Sequence, residues 1–277
     1  IDIPAPDVNT NGKIMSWMVD AYENVVKKSA PGVFTGKPVE FGGSLARTEA
    51  TGYGVNFAAV QALEKLGKDV KGATYAIQGF GNVGYHTGYY AHQSGAKVVA
   101  VSTVDVAIYN ENGLDMEALF KEFQEKGFIT NEAGYGKEIS NAELLALDVD
   151  VLAPCALENQ LTSENAGKVR AKIVVEGANG PTTPEADAIL RQNGVLVVPD
   201  ILANCGGVVV SYFEWVQNLQ GYYWEFDEVQ EKETVVLRRA FRDIWNLAQE
   251  YDVDLRTASY MMSIRRVEKA MKLRGWY

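Results

Sequence analysis

Three glycines spaced as G-x-G-x-x-G are the residues with the clearest chemical use in this sequence. They occur in Gly79-Phe80-Gly81-Asn82-Val83-Gly84, between a predicted strand at residues 73–77 and a predicted helix at residues 82–94. In that context the first glycine permits a tight turn, the second lets a pyrophosphate approach the main chain, and the third lets the helix pack on the strand. The free N–H groups at the helix start favour a phosphate. The motif predicts a dinucleotide site, and a glycine-rich turn that binds no nucleotide is the alternative.

An acidic residue follows the next predicted strand, which spans residues 97–102. Asp105 lies 21 residues beyond Gly84, which is the spacing expected of a carboxylate that accepts a hydrogen bond from the adenosine ribose. A carboxylate there would repel a 2′-phosphate, so it favours NAD over NADP. The adjacent Thr103 and Val104 could instead place another side chain at the ribose.

Short apolar runs alternate with helical patterns from residue 72 onward. One of the helices begins at Thr183-Pro184-Glu185, where proline suits the first turn and acidic residues suit the positive helix end. Strands separated by helices predict an α/β fold, a doubly wound Rossmann-type, mostly parallel sheet with helices on both faces. The predicted strands are residues 73–77, 97–102, 149–153, 173–175 and 195–198.

Helical segments flank this pattern on both sides. A first helix is predicted over residues 11–27 and a second from about residue 47 to residue 66, where Gly52 and Gly54 indicate that another backbone packs closely. Two amphipathic helices are predicted near the end, joined at residues 251–254. We therefore divide the chain into a helical lead-in (1–71), a dinucleotide-binding domain (72–224) and a C-terminal helical segment (225–277).

Composition excludes several classes of protein. The 277 residues carry a formal net charge of −10, the wrong sign for collecting nucleic acid or an anionic membrane surface. Ten acidic and three basic residues lie in residues 111–150, which we interpret as a solvated insertion. No apolar run approaches the ~20 residues that a membrane helix needs.

The cysteines and histidines do not suggest a nucleophile or a metal centre. Cys155 and Cys205 are too few for a disulfide framework and have no obvious histidine partner, while His86 and His92 fall on different faces of one helix. We expect a reduced, cytoplasmic protein without a metal site. The first residue is Ile1, and the chain looks as if it starts within a longer protein.

Six blocks of sequence together resemble the glutamate dehydrogenase family, within the wider Glu/Leu/Phe/Val dehydrogenase superfamily. Their order matches the family order, and they cover nearly the whole chain. The resemblance is to the NAD-binding domain, without the N-terminal substrate domain of that family. The blocks are residues 4–7, 42–54, 79–84, 154–156, 176–183 and 204–215.

The resemblance implies a reaction and a set of roles. The family reaction is the reversible oxidative deamination of L-glutamate to 2-oxoglutarate and ammonia, with hydride passing to a nicotinamide. By position, Asp7 matches the catalytic aspartate that exchanges protons with the substrate nitrogen, and Thr51 and Ser211 match positions near the substrate. The implied cofactor contacts are Gly79, Phe80, Gly81, Asn82, Val83, Gly84, Asp105, Cys155, Ala156, Asn179 and Asn204.

Each of these positions also has an ordinary structural interpretation. Asp7 could be a turn or capping carboxylate after a proline pair, and Ser211 could bond the carbonyl one helical turn back. Asn179 and Asn204 could be turn residues beside glycines. Ser211 is the main reason to expect glutamate, because a hydroxyl there can meet the distal carboxylate and an apolar substrate would leave it unpaired.

The resemblance also places the catalytic lysines of the family in the substrate domain, ahead of the block at Pro4. We therefore expect this chain to bind NAD(H) but to be nearly inactive on glutamate. The alternatives are a dehydrogenase of leucine, phenylalanine or valine, and a non-catalytic nucleotide-binding regulatory module. The parent enzyme is expected to be a homohexamer and this chain a monomer or dimer, with apolar faces of its flanking helices left without partners.

Overall fold

The computed structural model describes residues 2–7 and 9–276. Within them the chain forms ten α-helices and seven β-strands. The helices are α1 (Gly12–Val26), α2 (Ala50–Lys65), α3 (Asn82–Gln93), α4 (Met116–Lys126), α5 (Asn141–Leu145), α6 (Pro184–Gln192), α7 (Asp200–Ala203), α8 (Gly206–Gln220), α9 (Phe226–Tyr251) and α10 (Leu255–Leu273). The strands are β1 (Thr74–Gln78), β2 (Lys97–Ser102), β3 (Ala107–Tyr109), β4 (Lys137–Ile139), β5 (Val151–Pro154), β6 (Ile173–Val175) and β7 (Leu196–Val198).

The strands of the described residues form one sheet in the order β4-β3-β2-β1-β5-β6-β7. β1 lies at the centre and pairs in parallel with β2 and β5, and β6 and β7 continue the parallel arrangement beyond β5. The prediction of a doubly wound, mostly parallel Rossmann-type sheet is confirmed. Because the strands run in parallel, the carboxyl ends of β1, β5 and β6 lie along one edge, where ligands bind in such folds.

The acidic segment at residues 111–150 is solvated as predicted, since eight of its ten acidic residues are exposed, but it also contains helices and a strand that the sequence did not predict. This segment contains α4, β4 and α5, and β3 precedes it; β3 runs antiparallel to both β2 and β4. Both strands are three residues long, too short to show a clear alternation. β4 is also largely polar and exposed, as suits the edge of a sheet. The acidic segment therefore extends the sheet instead of looping away from it.

Both faces of the central strand are buried. Tyr75 and Ile77 join a core formed with α2, α3, α9 and α10, while Ala76 points to the opposite face and joins Leu144 of α5 and Leu190 of α6. Burial on both faces explains why the strands are near-continuous apolar runs in the sequence.

The two glycines of α2 allow the close packing that the sequence indicates. A Cβ on Gly52 would lie 2.7 Å from the amide nitrogen of Thr87 in α3, and one on Gly54 would lie 3.2 Å from the carbonyl oxygen of Ala203 in α7. α2 begins at Ala50, later than predicted, which leaves Arg47 in the turn before the helix. These contacts fix α3, whose first turn carries the glycine motif.

The first and last helices lie where the sequence predicts them, but much of their apolar surface is exposed. Trp17 and Val25 of α1 are 59% and 82% exposed, and Ile264, Val267 and Leu273 of α10 are exposed as well. Such surfaces are typical of contacts with another chain or another part of a protein. Among residues 2–7 and 9–276 no helix is long and apolar enough to cross a membrane.

A buried ion pair fastens the lead-in segment to α8. Lys37 Nζ lies 2.7 Å from Glu214 Oε1, and both side chains are 0% exposed. Glu214 also accepts a hydrogen bond from the N–H of Gly36 (2.8 Å), and Lys37 donates a second one to the carbonyl of Phe34 (2.6 Å). The two charges are therefore paired and hydrogen-bonded, which a buried pair requires.

Replacing Lys37 by methionine should lower the free energy of unfolding by about 3–5 kcal/mol, because Glu214 then stays buried without its cation. Urea denaturation followed by circular dichroism measures the loss. Lys28→Met, at an exposed lysine, is the matched control and should change stability by about 0.5 kcal/mol or less. Adding Glu214→Gln to Lys37→Met should recover part of the lost stability, because the buried negative charge is then removed. Equal losses of stability in Lys37→Met and Lys28→Met would contradict the interpretation.

A second buried carboxyl lies on the inner face of α9. Glu233 is 1% exposed, and its Oε1 has no hydrogen-bond partner among the described residues. Burial, and next the carboxylate of Glu49, raise the pKa of Glu233 to about 8, although Arg47 opposes the shift. Glu233 is therefore mostly protonated at neutral pH.

Glu233→Gln should flatten the dependence of stability on pH. The pKa in the folded chain, about 8, exceeds the value of about 4.3 expected in the unfolded chain. Between these values only the folded state keeps the proton, so stability falls as pH rises, by up to about 1.4 kcal/mol per pH unit. Glutamine cannot titrate and loses this contribution.

Unfolding free energies measured from pH 5 to pH 8.5 test this expectation. The stability of the wild type relative to Glu233→Gln should decrease up to about pH 8 and then level off. The unfolding free energy of Glu231→Gln, at an exposed position on the same helix, should change with pH as that of the wild type does. A parallel profile for Glu233→Gln would refute the raised pKa.

Candidate functional site

The glycine motif forms the turn between β1 and α3. Gly79 has a φ of 87°, in the left-handed region that favours glycine. A Cβ there would lie 2.7 Å from the backbone of Ala156. A Cβ on Gly84 would strike the carbonyl oxygen of Gly79. The turn and the close approach of α3 to β1 therefore both require glycine, as predicted.

Gly81 is glycine for a different reason. Nothing lies within 4 Å of the position that its Cβ would take. It is the N-cap residue of α3, and no side chain in the described part of the chain caps this helix. The N–H groups of Asn82 and Val83, in the first helical turn, lack partners within the helix. Open space before a helix N-terminus is suited to a phosphate.

Phe80 contributes its main chain to this turn, and its side chain lies in the core. The ring is 2% exposed and packs against Tyr85, Phe120 and Phe123. Its N–H donates a hydrogen bond to the carbonyl of Ser102 at the end of β2 (2.6 Å). Any contact of Phe80 with a ligand is therefore made by its backbone.

Asp105 follows the end of β2, as the sequence predicts, and lies at the tip of the hairpin between β2 and β3. Thr103 closes the hairpin, because its N–H bonds the carbonyl of Val106 (2.7 Å) and its hydroxyl accepts from the N–H of Asp105 (3.3 Å). Val104 and Asp105 are exposed at the tip. The carboxylate thus faces solvent on the sheet edge that also carries the glycine turn.

A cleft of about 590 Å³ opens where β5 and β6 end. We call it the central cleft. It contains two asparagines that contact each other: Asn204 Nδ2 donates to Asn179 Oδ1 (2.7 Å) and to the carbonyl of Gly177 (3.3 Å). The cleft thus brings together six of the residues predicted from the sequence: Thr51, Val83, Cys155, Ala156, Asn179 and Asn204.

The two thiols are not activated. Burial raises the pKa of Cys155 to about 12 and that of Cys205 to about 11, so both are neutral at physiological pH. A thiolate is needed for nucleophilic attack or metal binding. No group of three or more potential metal ligands lies together within residues 2–7 and 9–276. The site therefore offers hydrogen bonds, main-chain N–H groups and charge, and not a cysteine nucleophile.

A second cavity, of about 430 Å³, adjoins the central cleft and shares Arg47 and Val208 with it. We call it the distal pocket. The hydroxyl of Ser211 lies in this pocket and accepts a hydrogen bond from Nε of Arg47 (2.8 Å). The remaining lining is Thr35 and the apolar residues Ile3, Ala5, Tyr212 and Trp215.

Arg47 lines both cavities and was not identified from the sequence as a site residue. Burial lowers its pKa, while Glu214 and Glu233 oppose that shift, and an arginine remains charged in proteins. Its cation lies where the two cavities meet, beside Ser211. Arg47 is the single basic residue of the block at residues 42–54, which could have marked it as a site residue. The sequence pattern could not show, however, that its side chain lies beside Ser211.

Asp7 lies in an exposed turn. Its N–H donates to the hydroxyl of Thr10 (2.6 Å), and its carbonyl accepts from the N–H of Thr10 (2.9 Å). The N-cap of α1 is Asn11, so Asp7 does not cap that helix. Ala5, two residues earlier, lines the distal pocket, which places the Asp7 turn close to the pocket in the chain.

The sequence and the fold both match known proteins. Residues 42–275 match the profile of the glutamate/leucine/phenylalanine/valine dehydrogenase family. The NAD-specific glutamate dehydrogenase of Clostridioides difficile is 54% identical over 282 aligned residues, which cover 100% of this chain and 67% of that protein. The glutamate dehydrogenase of Thermotoga maritima is 52% identical, with coverage of 100% and 66%.

Solved structures of glutamate dehydrogenases also resemble this chain. The glutamate dehydrogenase of Peptoniphilus asaccharolyticus superposes with a TM-score of 0.87 at 45% identity, over 100% of this chain and 66% of that one. The hetero-hexameric glutamate dehydrogenase of Thermus thermophilus, in its Leu bound form, gives 0.92 at 34% identity, over 100% and 65%. The chain thus spans about two thirds of these relatives.

The family match covers the second helix, the whole sheet and both C-terminal helices, so it includes the glycine turn, the central cleft and the part of the distal pocket formed by Arg47 and α8. Together with identities above 50% to curated relatives, it establishes that this chain belongs to the glutamate/leucine/phenylalanine/valine dehydrogenase family.

Proposed function

We propose that these 277 residues form the cofactor-binding part of an NAD-dependent glutamate dehydrogenase. The reaction is the reversible oxidative deamination of L-glutamate to 2-oxoglutarate and ammonia. The observation that carries the proposal is the continuity of the site: Val83 of the glycine motif lines the central cleft, and the central cleft shares Arg47 and Val208 with the distal pocket. A dinucleotide would lie along the turn and into the cleft, with the amino acid in the pocket beyond.

The exposed carboxylate of Asp105 supports NAD over NADP. It can accept hydrogen bonds from the ribose hydroxyls, and it would repel a phosphate at the 2′ position. The turn at residues 103–106 contains no arginine or lysine that could receive that phosphate. Curated relatives that are named NAD-specific support the same assignment.

Several residues would share the chemistry of this site. Bound NAD would be the acceptor for the hydride that leaves the α-carbon of the amino acid. Asn179 and Asn204 would hold the nicotinamide end, since amides both donate and accept hydrogen bonds. Thr51 would contact the substrate, and Asp7 would exchange protons with its nitrogen.

The distal pocket decides among the amino acids of the family. Arg47 and Ser211 offer a cation and a hydroxyl for the second carboxylate of glutamate, and an apolar substrate would cover that half-buried cation without supplying a carboxylate. The apolar lining, including Val208 and Trp215, is the observation that favours leucine, phenylalanine or valine instead. We choose glutamate because burying an unpaired charge costs more than leaving apolar surface against a substrate methylene chain.

A non-catalytic nucleotide-binding regulatory module is the second candidate function. Such a module needs the glycine turn but has no use for a charged pocket beside the nicotinamide end of the cleft. The Arg47–Ser211 contact therefore favours the dehydrogenase.

We further propose that this chain alone binds NAD(H) and turns over glutamate slowly. Hydride transfer needs substrate held against the nicotinamide, and the family resemblance places the catalytic lysines outside these residues. The same resemblance supports a homohexameric parent enzyme and a monomeric or dimeric state for this chain, and the alternation of strands and helices from residue 72 onward supports the division at residues 71 and 224. Two free thiols support a reducing, cytoplasmic location.

NADH should stabilise this chain more than NADPH does. A ligand that binds only the folded state adds about 2.7 kcal/mol at 100 times its dissociation constant, which corresponds to roughly 5 °C in a thermal melt. Gly81→Ala should melt at the wild-type temperature without ligand and lose the shift with NADH, because its Cβ meets no protein atom and would occupy the phosphate space.

Two charge variants complete this experiment. Asp105→Asn should increase the shift with NADPH, whereas Glu125→Gln, at an exposed acid on α4, should not. A full NADH shift in Gly81→Ala would show that the glycine turn is not the binding site. Equal shifts of the wild type with both cofactors would refute the preference for NAD.

The chain alone should oxidise glutamate far below about 10 s⁻¹, the typical turnover of an enzyme. NADH formation at 340 nm measures the rate, and the residual rate should be higher with glutamate than with leucine. Ser211→Ala should reduce that preference by about tenfold, equivalent to one hydrogen bond to a charged group. Turnover at an ordinary enzymatic rate would refute the proposed slow turnover, and a preference for leucine would refute glutamate as the substrate.

A further inference from the structure

Arg256, near the start of α10, holds three carboxylates from three different elements. Its Nη2 lies 2.6 Å from Glu176 Oε1, its Nε 2.6 Å from Asp187 Oδ2, and its Nη1 3.5 Å from Asp200 Oδ1. These acids follow β6, lie in α6 and begin α7, respectively. The guanidinium is half-buried, and it lines a groove of about 560 Å³ that is separate from the central cleft.

Glu176 depends on this arginine. Its side chain is 0% exposed, and burial raises its pKa while the bond to Arg256 opposes that shift. Its second oxygen, Oε2, accepts the N–H of Asp200 (2.7 Å). Without Arg256 this carboxylate would be buried with no cation within bonding distance among the described residues, which costs several kcal/mol.

Asp200 transmits the constraint to the loop after β6. Its Oδ2 accepts the N–H of Gly180 (2.8 Å), so both ends of the loop at residues 176–180 are held by carboxylates that Arg256 contacts. Between these ends lie Gly177 and Asn179, which line the central cleft. Asn179 in turn accepts the hydrogen bond from Asn204.

We propose that Arg256 is a positioning residue for the nicotinamide end of the bound cofactor. It acts through Glu176 and Asp200 on the loop that carries Asn179, although it lies on the last helix and outside the cleft. The inference rests on the proposed function, since it takes the central cleft as the nicotinamide site. The guanidinium fork suits this task because its planar donors fix the direction of each carboxylate, which a lysine does not.

A comparison of NADH with ADP-ribose tests this role. ADP-ribose keeps the adenosine and both phosphates but lacks the nicotinamide. In Arg256→Gln the affinity for NADH should fall by about tenfold, the equivalent of one charge-assisted hydrogen bond. The affinity for ADP-ribose should stay within about twofold. NADH fluorescence and competition with ADP-ribose measure both constants on the whole chain.

Two further variants separate positioning from general loss of structure. Arg191→Gln removes an arginine of the same groove that pairs with Asp254 (3.2 Å) and should change neither affinity. Arg256→Lys keeps the charge and should weaken NADH binding less than Arg256→Gln does. If Arg256→Gln does not fold, Asp200→Ala removes the acceptor of the Gly180 N–H and should show the same selective loss of NADH affinity.

The outcomes distinguish a failure of the positioning role of Arg256 from a failure of the proposed function. Equal losses for NADH and ADP-ribose, or no loss for either, would overturn the positioning role while leaving the proposed function intact. A wild-type chain that binds neither ligand would overturn the proposed function and this inference with it.

Discussion

Contact of backbone with backbone at the centre of the sheet is the constraint on which the rest of the structure depends. α3 lies against the end of β1 so closely that a Cβ on Gly84 would strike the carbonyl of Gly79, and α2 lies against α3 so closely that Gly52 has no room for a Cβ. Protein interiors tolerate little change in volume. These positions therefore fix where α3 begins, and through it the direction in which the first N–H groups of that helix face.

Much of this could be predicted from the sequence, because local signals agree with the global fold. The glycine turn, the proline in the first turn of α6 and the apolar runs of β1 and β2 each have a local cause. β3 and β4 could not be predicted, since three residues show no period. Arg47 and Arg256 were missed for another reason: their roles depend on partners more than 50 residues away in the chain, and no local pattern records such contacts.

Buried charge marks the joints between distant parts of this chain. Lys37 and Glu214 join the lead-in segment to α8, and Arg256 and Glu176 join the last helix to the end of β6. Apolar residues of similar volume often stabilise a fold as well as such pairs do. Directional hydrogen bonds, however, set the orientation of both joints, and Gly177 of the central cleft directly follows Glu176.

The ribose contact proposed for Asp105 lies on the hairpin between β2 and β3, away from the core of the fold. Val104 and Asp105 are exposed at its tip, and the four-residue turn is closed by Thr103. Surface substitutions at such a position change folding energy by about 0.5 kcal/mol or less. With the role proposed for Asp105, substitutions at this tip exchange one cofactor preference for another without a compensating change in the core, so relatives can differ in cofactor preference and keep the same architecture.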